Sequence, residues 1–189
     1  MCGRGNKCAT VKKPYPPGIR DSDRKHRTNI SEFGSQLREK QKVRVTYGLR
    51  ERQFANYVKE ASSKKGVNPT ERLYENLESR LDSVAYRMGF AVSRSIARQM
   101  VSHGHLTVNG KRVNIPSYRV SPGDVIAIRE GSKGKVLFTN LAERLEKYNA
   151  PMWLYVDVAK LTGTIQTMPK SSESDQVFNF SSVIEFYSR

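Results

Sequence analysis

The chain has 189 residues, 37% of them hydrophobic, with 33 Lys and Arg against 18 Asp and Glu for a formal net charge of +15. That length fits one large domain or two small ones, and that charge calls for a polyanionic partner: nucleic acid first, an anionic membrane surface second. No apolar run approaches the length of a membrane span and the N-terminus lacks the apolar core of a secretory signal, while two cysteines in the first eight residues cannot staple a domain of this size and point to a reducing compartment.

Residues 1–30 read as an extended basic arm. Gly3, Gly5, Pro14, Pro16, Pro17 and Gly18 punctuate it, and it has almost no periodic apolar positions with which to bury a core. Ser31 then caps a helix carrying Phe33, Leu37 and Val43 that stops near Tyr47-Gly48. A second helix follows, with Phe54, Tyr57, Val58 and Ala61 at helical spacing and Gly66 as its stop. In N-P-T-E, Asn68 suits an N-cap, Pro69 the first helical position and Glu71 the acid of a capping box. From there Leu73, Leu77, Leu81, Val84 and Met88 predict one long helix up to Gly89.

Ser93 caps a shorter helix with Ile96, Ala97, Met100 and Val101 inward and Gly104 past its end. The period then changes from helix to strand. Leu106 and Val108 precede Asn109-Gly110, Val113 and Ile115 follow it, and Asn-Gly between such pairs predicts a hairpin. Ser121-Pro122-Gly123-Asp124 marks a turn before a strand at 125–128. A short helix is expected near 139–148, and W-L-Y-V-D-V and S-S-V-I-E-F-Y read as strands.

Charge concentrates in two places. Residues 1–65 hold 17 Lys and Arg against 6 Asp and Glu, and residues 92–135 hold 8 against 2. Arg94 and Arg98, four apart, share one helical face with Ser95, Gln99 and Ser102 on the polar side, and the hairpin adds Lys111 and Arg112. Guanidinium, amide and hydroxyl groups beside a helix N-terminus suit phosphate and ribose contacts. The same spacing equally describes a surface helix with solvated arginines.

The string from Arg80 to Gly110, R-L-D-S-V-A-Y-R-M-G-F-A-V-S-R-S-I-A-R-Q-M-V-S-H-G-H-L-T-V-N-G, is followed by S-Y-R-V-S-P-G-D-V. Together they resemble the RNA-binding module of the small-subunit ribosomal protein four family, in its bacterial and organellar form. Q-L-R-E-K-Q-K-V-R-V-T-Y-G-L-R-E-R-Q-F resembles that family's helical domain, and P-Y-P-P-G and V-I-E-F-Y-S-R its two ends, so the likeness runs from about residue 14 to residue 189. It implies an α+β fold. An extended arm (1–30) would precede a helical domain (31–78 and 141–189, with C-terminal strands), into which a module of two helices on a short twisted sheet (79–140) is inserted.

The resemblance further implies a non-catalytic protein that binds the 5′ domain of small-subunit rRNA early in assembly and influences translational accuracy. Its neighbours would be ribosomal protein five and messenger RNA where it enters the subunit, with no membrane contact, on a cytoplasmic or organellar ribosome. Carried over by position, Arg94, Arg98, Gln99, Asn109 and Lys111 would lie on the module's RNA face, and Arg112 of the basic hairpin is expected to bind RNA beside them. Lys40, Lys42, Arg44, Arg50 and Arg52 would lie near rRNA in the helical domain.

The start departs from the family pattern. Many bacterial members hold one zinc through two cysteine pairs near the N-terminus. Here Cys2 and Cys8 stand where the second pair belongs, His26 is a remote third ligand, and the first pair is missing. Either the chain begins too late or the site has decayed. Four ligands being required, no zinc and no other cofactor is expected. His103 and His105 form an H-x-H pair without an acidic or cysteine partner nearby, and read as one end-of-helix and one strand histidine near RNA. Arg80-Leu81-Asp82 resembles the R-L-D of pseudouridine synthases, but it falls inside the module with no catalytic domain after it, so Asp82 is expected to be a surface or ion-pairing residue. A free RNA-binding protein of the heat-shock type would lack the helical domain and the Y-P-P-G arm.

Overall fold

The computed structural model describes residues 30–63, 66–146, 148–170 and 178–188. Cys2, Cys8, His26 and the P-Y-P-P-G segment lie outside them.

Two hydrophobic cores organise the described residues. The first belongs to α1 (Glu32–Thr46), α2 (Glu51–Ser63) and α3 (Pro69–Glu78). Ser31 Oγ caps α1 by accepting from the Gly34 amide at 3.2 Å, and Asn68 Oδ1 caps α3 by accepting from Thr70 N at 3.1 Å with Pro69 in the first turn, as the sequence predicts. Phe54, Tyr57, Val58 and Ala61 are all buried on the inner face of α2. The second core lies under α4 (Leu81–Arg87) and α5 (Arg94–Ser102), which pack beside a five-stranded antiparallel sheet of order β2-β1-β3-β5-β4. Its strands are β1 (Leu106–Val108), β2 (Lys111–Val113), β3 (Val125–Ile128), β4 (Leu154–Asp157) and β5 (Thr162–Ile165), with α6 (Leu141–Glu146) between β3 and β4. Asn109 (φ +50°) and Gly110 (φ +79°) make the predicted hairpin turn between β1 and β2.

The structure corrects three expectations. The long helix from Pro69 to Met88 is two helices, broken at Ser79-Arg80. Arg80 is extended (φ −71°, ψ 139°) and pairs as a β-bridge with Arg119. The Leu81 amide donates to Tyr118 O at 2.9 Å, and Val120 N to Ser79 O at 3.0 Å. Within the break, the buried Arg80 guanidinium forks onto Asp82, Nε to Oδ1 at 3.0 Å and Nη2 to Oδ2 at 2.7 Å, and donates through Nη1 to the Tyr57 hydroxyl at 2.8 Å. Residues two apart do not face each other on a helix, so this ion pair requires the extended geometry. All five stripe residues are still fully buried, Leu73 and Leu77 in the first core, Leu81, Val84 and Met88 in the second.

The C-terminal S-S-V-I-E-F-Y segment is not a strand. It forms α7 (Phe180–Ser188), capped by Asn179 Oδ1 accepting from Ser182 N at 3.1 Å. Phe180 and Val183 are buried and Ile184 and Tyr187 half-buried, a three-and-four spacing that the β-branched and aromatic content masks. Third, the C-terminal part does not all return to the helical domain. Strands β4 and β5 hydrogen-bond into the module's sheet, and Leu141, Leu145, Leu154 and Ile165 fill its core. Helix α7 packs on the helical side, mainly against α1 and α3, with Phe178 just before it.

Candidate nucleic-acid interface

Helix α5 begins at Ser93, whose hydroxyl accepts from Ile96 N at 3.3 Å, and it buries Ala97, Met100 and Val101. Ser95, Gln99, Ser102 and His103 face solvent. Arg94 and Arg98 do share a flank, but that flank borders the junction between the two cores. Arg94 Nη2 donates to Glu78 Oε1 at 3.0 Å, and its guanidinium lies between the rings of Tyr47 (4.4 Å) and Tyr86 (4.8 Å).

Glu78, fully buried at the end of α3, also accepts from the Tyr47 hydroxyl at 2.6 Å and from Arg87 Nε and Nη2 at 2.9 Å each. Burial alone would raise its pKa, but Arg94, Arg87 and Tyr47 together outweigh it and hold the carboxyl below its usual range. The Tyr47 hydroxyl, buried against that carboxylate, is pushed well above the ordinary phenol value. Arg94 is therefore an internal clasp between the helical domain and the module.

Arg98 sits at the rim of the same junction. Its Nη1 donates to Gly48 O at 3.3 Å and lies 3.6 Å from Asp82 Oδ2, with 40% of the side chain exposed. This contact brings the solvent edge of α5 against the α1–α2 turn, where Arg50 and Arg52 are exposed and have no carboxylate partner among the described residues. At the other end of α5, Arg112 Nη2 donates to the His103 carbonyl at 3.3 Å. Its guanidinium lies over Gly104, where a Cβ would strike it. Lys111, next to it in β2, is exposed. An open arc thus runs from Arg50 and Arg52 through Arg98, Ser95, Gln99 and Ser102 to His103, Arg112 and Lys111.

The other positions carried over by resemblance fall elsewhere. Lys40 is buried, its Nζ 2.7 Å from Glu51 Oε1 and 4.7 Å from the Phe186 ring centroid. Lys42 pairs with Glu39 at 2.6 Å, and Arg44 bonds Gln41 at 2.8 Å and lies 3.5 Å from Glu51. Asn109 holds its own turn, donating to Asp124 Oδ1 at 2.8 Å and accepting from Val125 N at 2.9 Å. Asp82 is the ion-pairing residue expected, although buried.

Sequence reasoning missed Glu78 and Arg87 altogether and read Tyr47 only as the end of a helix. The only signal was an acid at the end of an apolar stripe, which spacing alone reads as a solvated position. It also missed a small cleft between α5 and the turn Val136–Phe138, although the H-x-H pair on its wall was visible.

Comparison with known proteins agrees with this two-part reading. The family model described as Ribosomal protein S4/S9 N-terminal domain matches residues 1–78, and the S4 domain model matches residues 79–126. The chain is 47% identical to the small ribosomal subunit protein uS4 of Natranaerobius thermophilus over 97% of its own length and 87% of the relative's. It is 49% identical to uS4 of Thermus thermophilus and 48% to uS4A of Symbiobacterium thermophilum, in both cases over 97% of this chain and 86% of the relative. The chain therefore belongs to the uS4 family of small-ribosomal-subunit proteins, structural and RNA-binding rather than catalytic.

Proposed function

We propose that the protein binds the 5′ domain of small-subunit rRNA through the arc from Arg50 to Lys111. One observation carries this reading. The arc crosses both halves of the molecule, and Arg50, Arg52, Lys111 and Arg112 have no carboxylate partner among the described residues. Cations left without an internal partner on a continuous surface suit a phosphate backbone, whose contacts fix position and dominate affinity. Gln99 and Arg98 complete the surface. Lys40 and Arg94 are engaged in internal ion pairs, so this reading gives them structural roles, and it has Lys42, Arg44 and Asn109 hold neighbouring residues in place.

On this reading the protein helps nucleate folding of that rRNA domain and lies beside ribosomal protein five, near the point where messenger RNA enters the subunit. It influences translational accuracy from there, on a cytoplasmic or an organellar ribosome. The supports are family membership and the likeness of the quoted motifs. The test is a pair of measurements. Tagged protein should sediment with small subunits, and purified protein should bind a 5′-domain transcript more tightly than an unrelated transcript of equal length at physiological salt. Equal affinity for the two transcripts, or sedimentation apart from small subunits, overturns the proposal.

A further inference from the structure

A cleft of about 120 Å³ opens beside the C-terminal end of α5, lined by Ile96, Gln99, Met100, His103, His105 and Leu137. Its chemistry is mixed in an ordered way. Ile96, Met100 and Leu137 give apolar surface. The imidazoles of His103 and His105 stand 5.9 Å apart between centroids, with their planes at 48°. His105 is fixed from behind: its Nδ1 lies 3.0 Å from the buried Ser132 Oγ, and its ring meets Phe138 edge-on at 6.1 Å. Gln99, exposed on the outer edge of α5, contributes one amide donor and one amide acceptor. Burial and the nearby cations Lys135, Arg112 and Arg129 hold the His105 pKa below its ordinary value. The cleft therefore sits in a positive field, with a neutral ring at its wall.

An apolar floor, ring faces and a few convergent polar groups in a positive field make a site for a planar, uncharged ring on a polyanionic chain. A bare phosphate would not need the apolar floor. A metal would need more ligands than two histidines, and among the described residues no group of three His, Cys, Asp or Glu could hold one. Between the two purines, whose larger rings stack best, an amide side chain matches the N6 donor and N7 acceptor of adenine rather than the two acceptors guanine shows on that edge.

We propose that this cleft receives one unstacked adenine of the bound RNA, with His103 stacking on it and Gln99 reading its edge. The inference rests on the RNA-binding reading of the same surface and adds base recognition to phosphate contact. It gives His103 and Gln99 roles that differ from those of the cations. Removing a stacking or edge contact lowers affinity by a factor that salt does not change, whereas removing a phosphate contact matters less as salt rises.

The test uses the full chain and a 5′-domain transcript carrying scattered adenosine analogues, either purine riboside without N6 or 7-deaza-adenosine without N7. Bound and unbound fractions are separated and mapped. With wild-type protein, one unpaired adenosine should interfere with binding when either group is missing. With Gln99→Ala that interference should vanish, while the salt dependence of binding stays that of wild type. His103→Ala should weaken binding by roughly tenfold at every salt concentration. Both side chains are exposed on α5 or at its cap, so melting temperatures should match wild type and confirm folding. Identical interference maps for wild type and Gln99→Ala overturn the inference, as does a His103→Ala deficit that disappears at high salt. Failure of the wild-type protein to prefer the 5′-domain transcript would instead overturn the RNA-binding reading itself.

Discussion

The fate of a single arginine shows what a residue's surroundings add to its spacing. Arg94 and Arg98 share a helical face, and sequence reasoning gave them one role. The structure separates them because Glu78, sixteen residues before Arg94, reaches the same flank from the end of α3. A buried carboxylate with two guanidinium partners and a phenol is costly to disrupt, since removing its charge leaves two partly buried cations without an anionic partner. Glu78→Gln should therefore destabilise the protein by about 3 kcal/mol at neutral pH. The pH dependence follows from the direction of the shift. A carboxyl whose folded pKa is depressed stabilises fully above its unfolded value, about 4.3, and loses that contribution as pH falls through the folded value. Thermal melts should show wild type well above Glu78→Gln at neutral pH, with the gap closing in acid. A gap that is constant with pH contradicts the ionised clasp.

At the scale of elements, the caps and turns were legible because their chemistry is local. Ser31, Asn68, Ser93 and Asn109-Gly110 each act on amides or dihedral angles within a few residues, and each performs the expected job. What was not legible depended on distant chain. The break at Ser79-Arg80 exists because residues 116–120 take over its backbone hydrogen bonds, and α7 is a helix because α1 and α3 offer its apolar stripe a surface. One local element also reaches the proposed RNA surface. Gly104 closes α5 at φ +68° with the Arg112 guanidinium lying over it. Gly104→Ala should cost roughly 1–2 kcal/mol from the left-handed backbone and should also displace Arg112, weakening RNA binding. Gly66→Ala, at φ +87° with nothing within 4 Å of the added carbon, should carry the backbone cost alone. Melting curves and RNA titrations on the pair check this, and equal RNA affinity for the two variants contradicts the placement of Arg112 in the arc.

For the whole molecule, the sequence already carried the basic excess, the α+β class and the family motifs. The legible parts of the candidate interface are the exposed cations that pair with no carboxylate among the described residues, as at Arg50, Arg52 and Lys111, the one adjacent acid, Glu51, being taken up by Lys40 and Arg44. The parts that were not are those where a cation meets a carboxylate remote in the chain or around a turn, as at Arg94 and Lys40. The central claim is that RNA is gripped by the outer arc and that the junction arginine stays inside. It is tested most directly by binding to a 5′-domain transcript across a range of salt concentrations, for wild type and for the triple variant Arg50→Ala, Arg52→Ala, Lys111→Ala. Each lost phosphate contact lowers the slope of log affinity against log salt by roughly 0.7–0.9. The variant's slope should therefore be shallower by roughly 2, with its melting temperature close to that of wild type. A slope unchanged from wild type, in a variant that is still folded, would place the RNA on another face of the molecule.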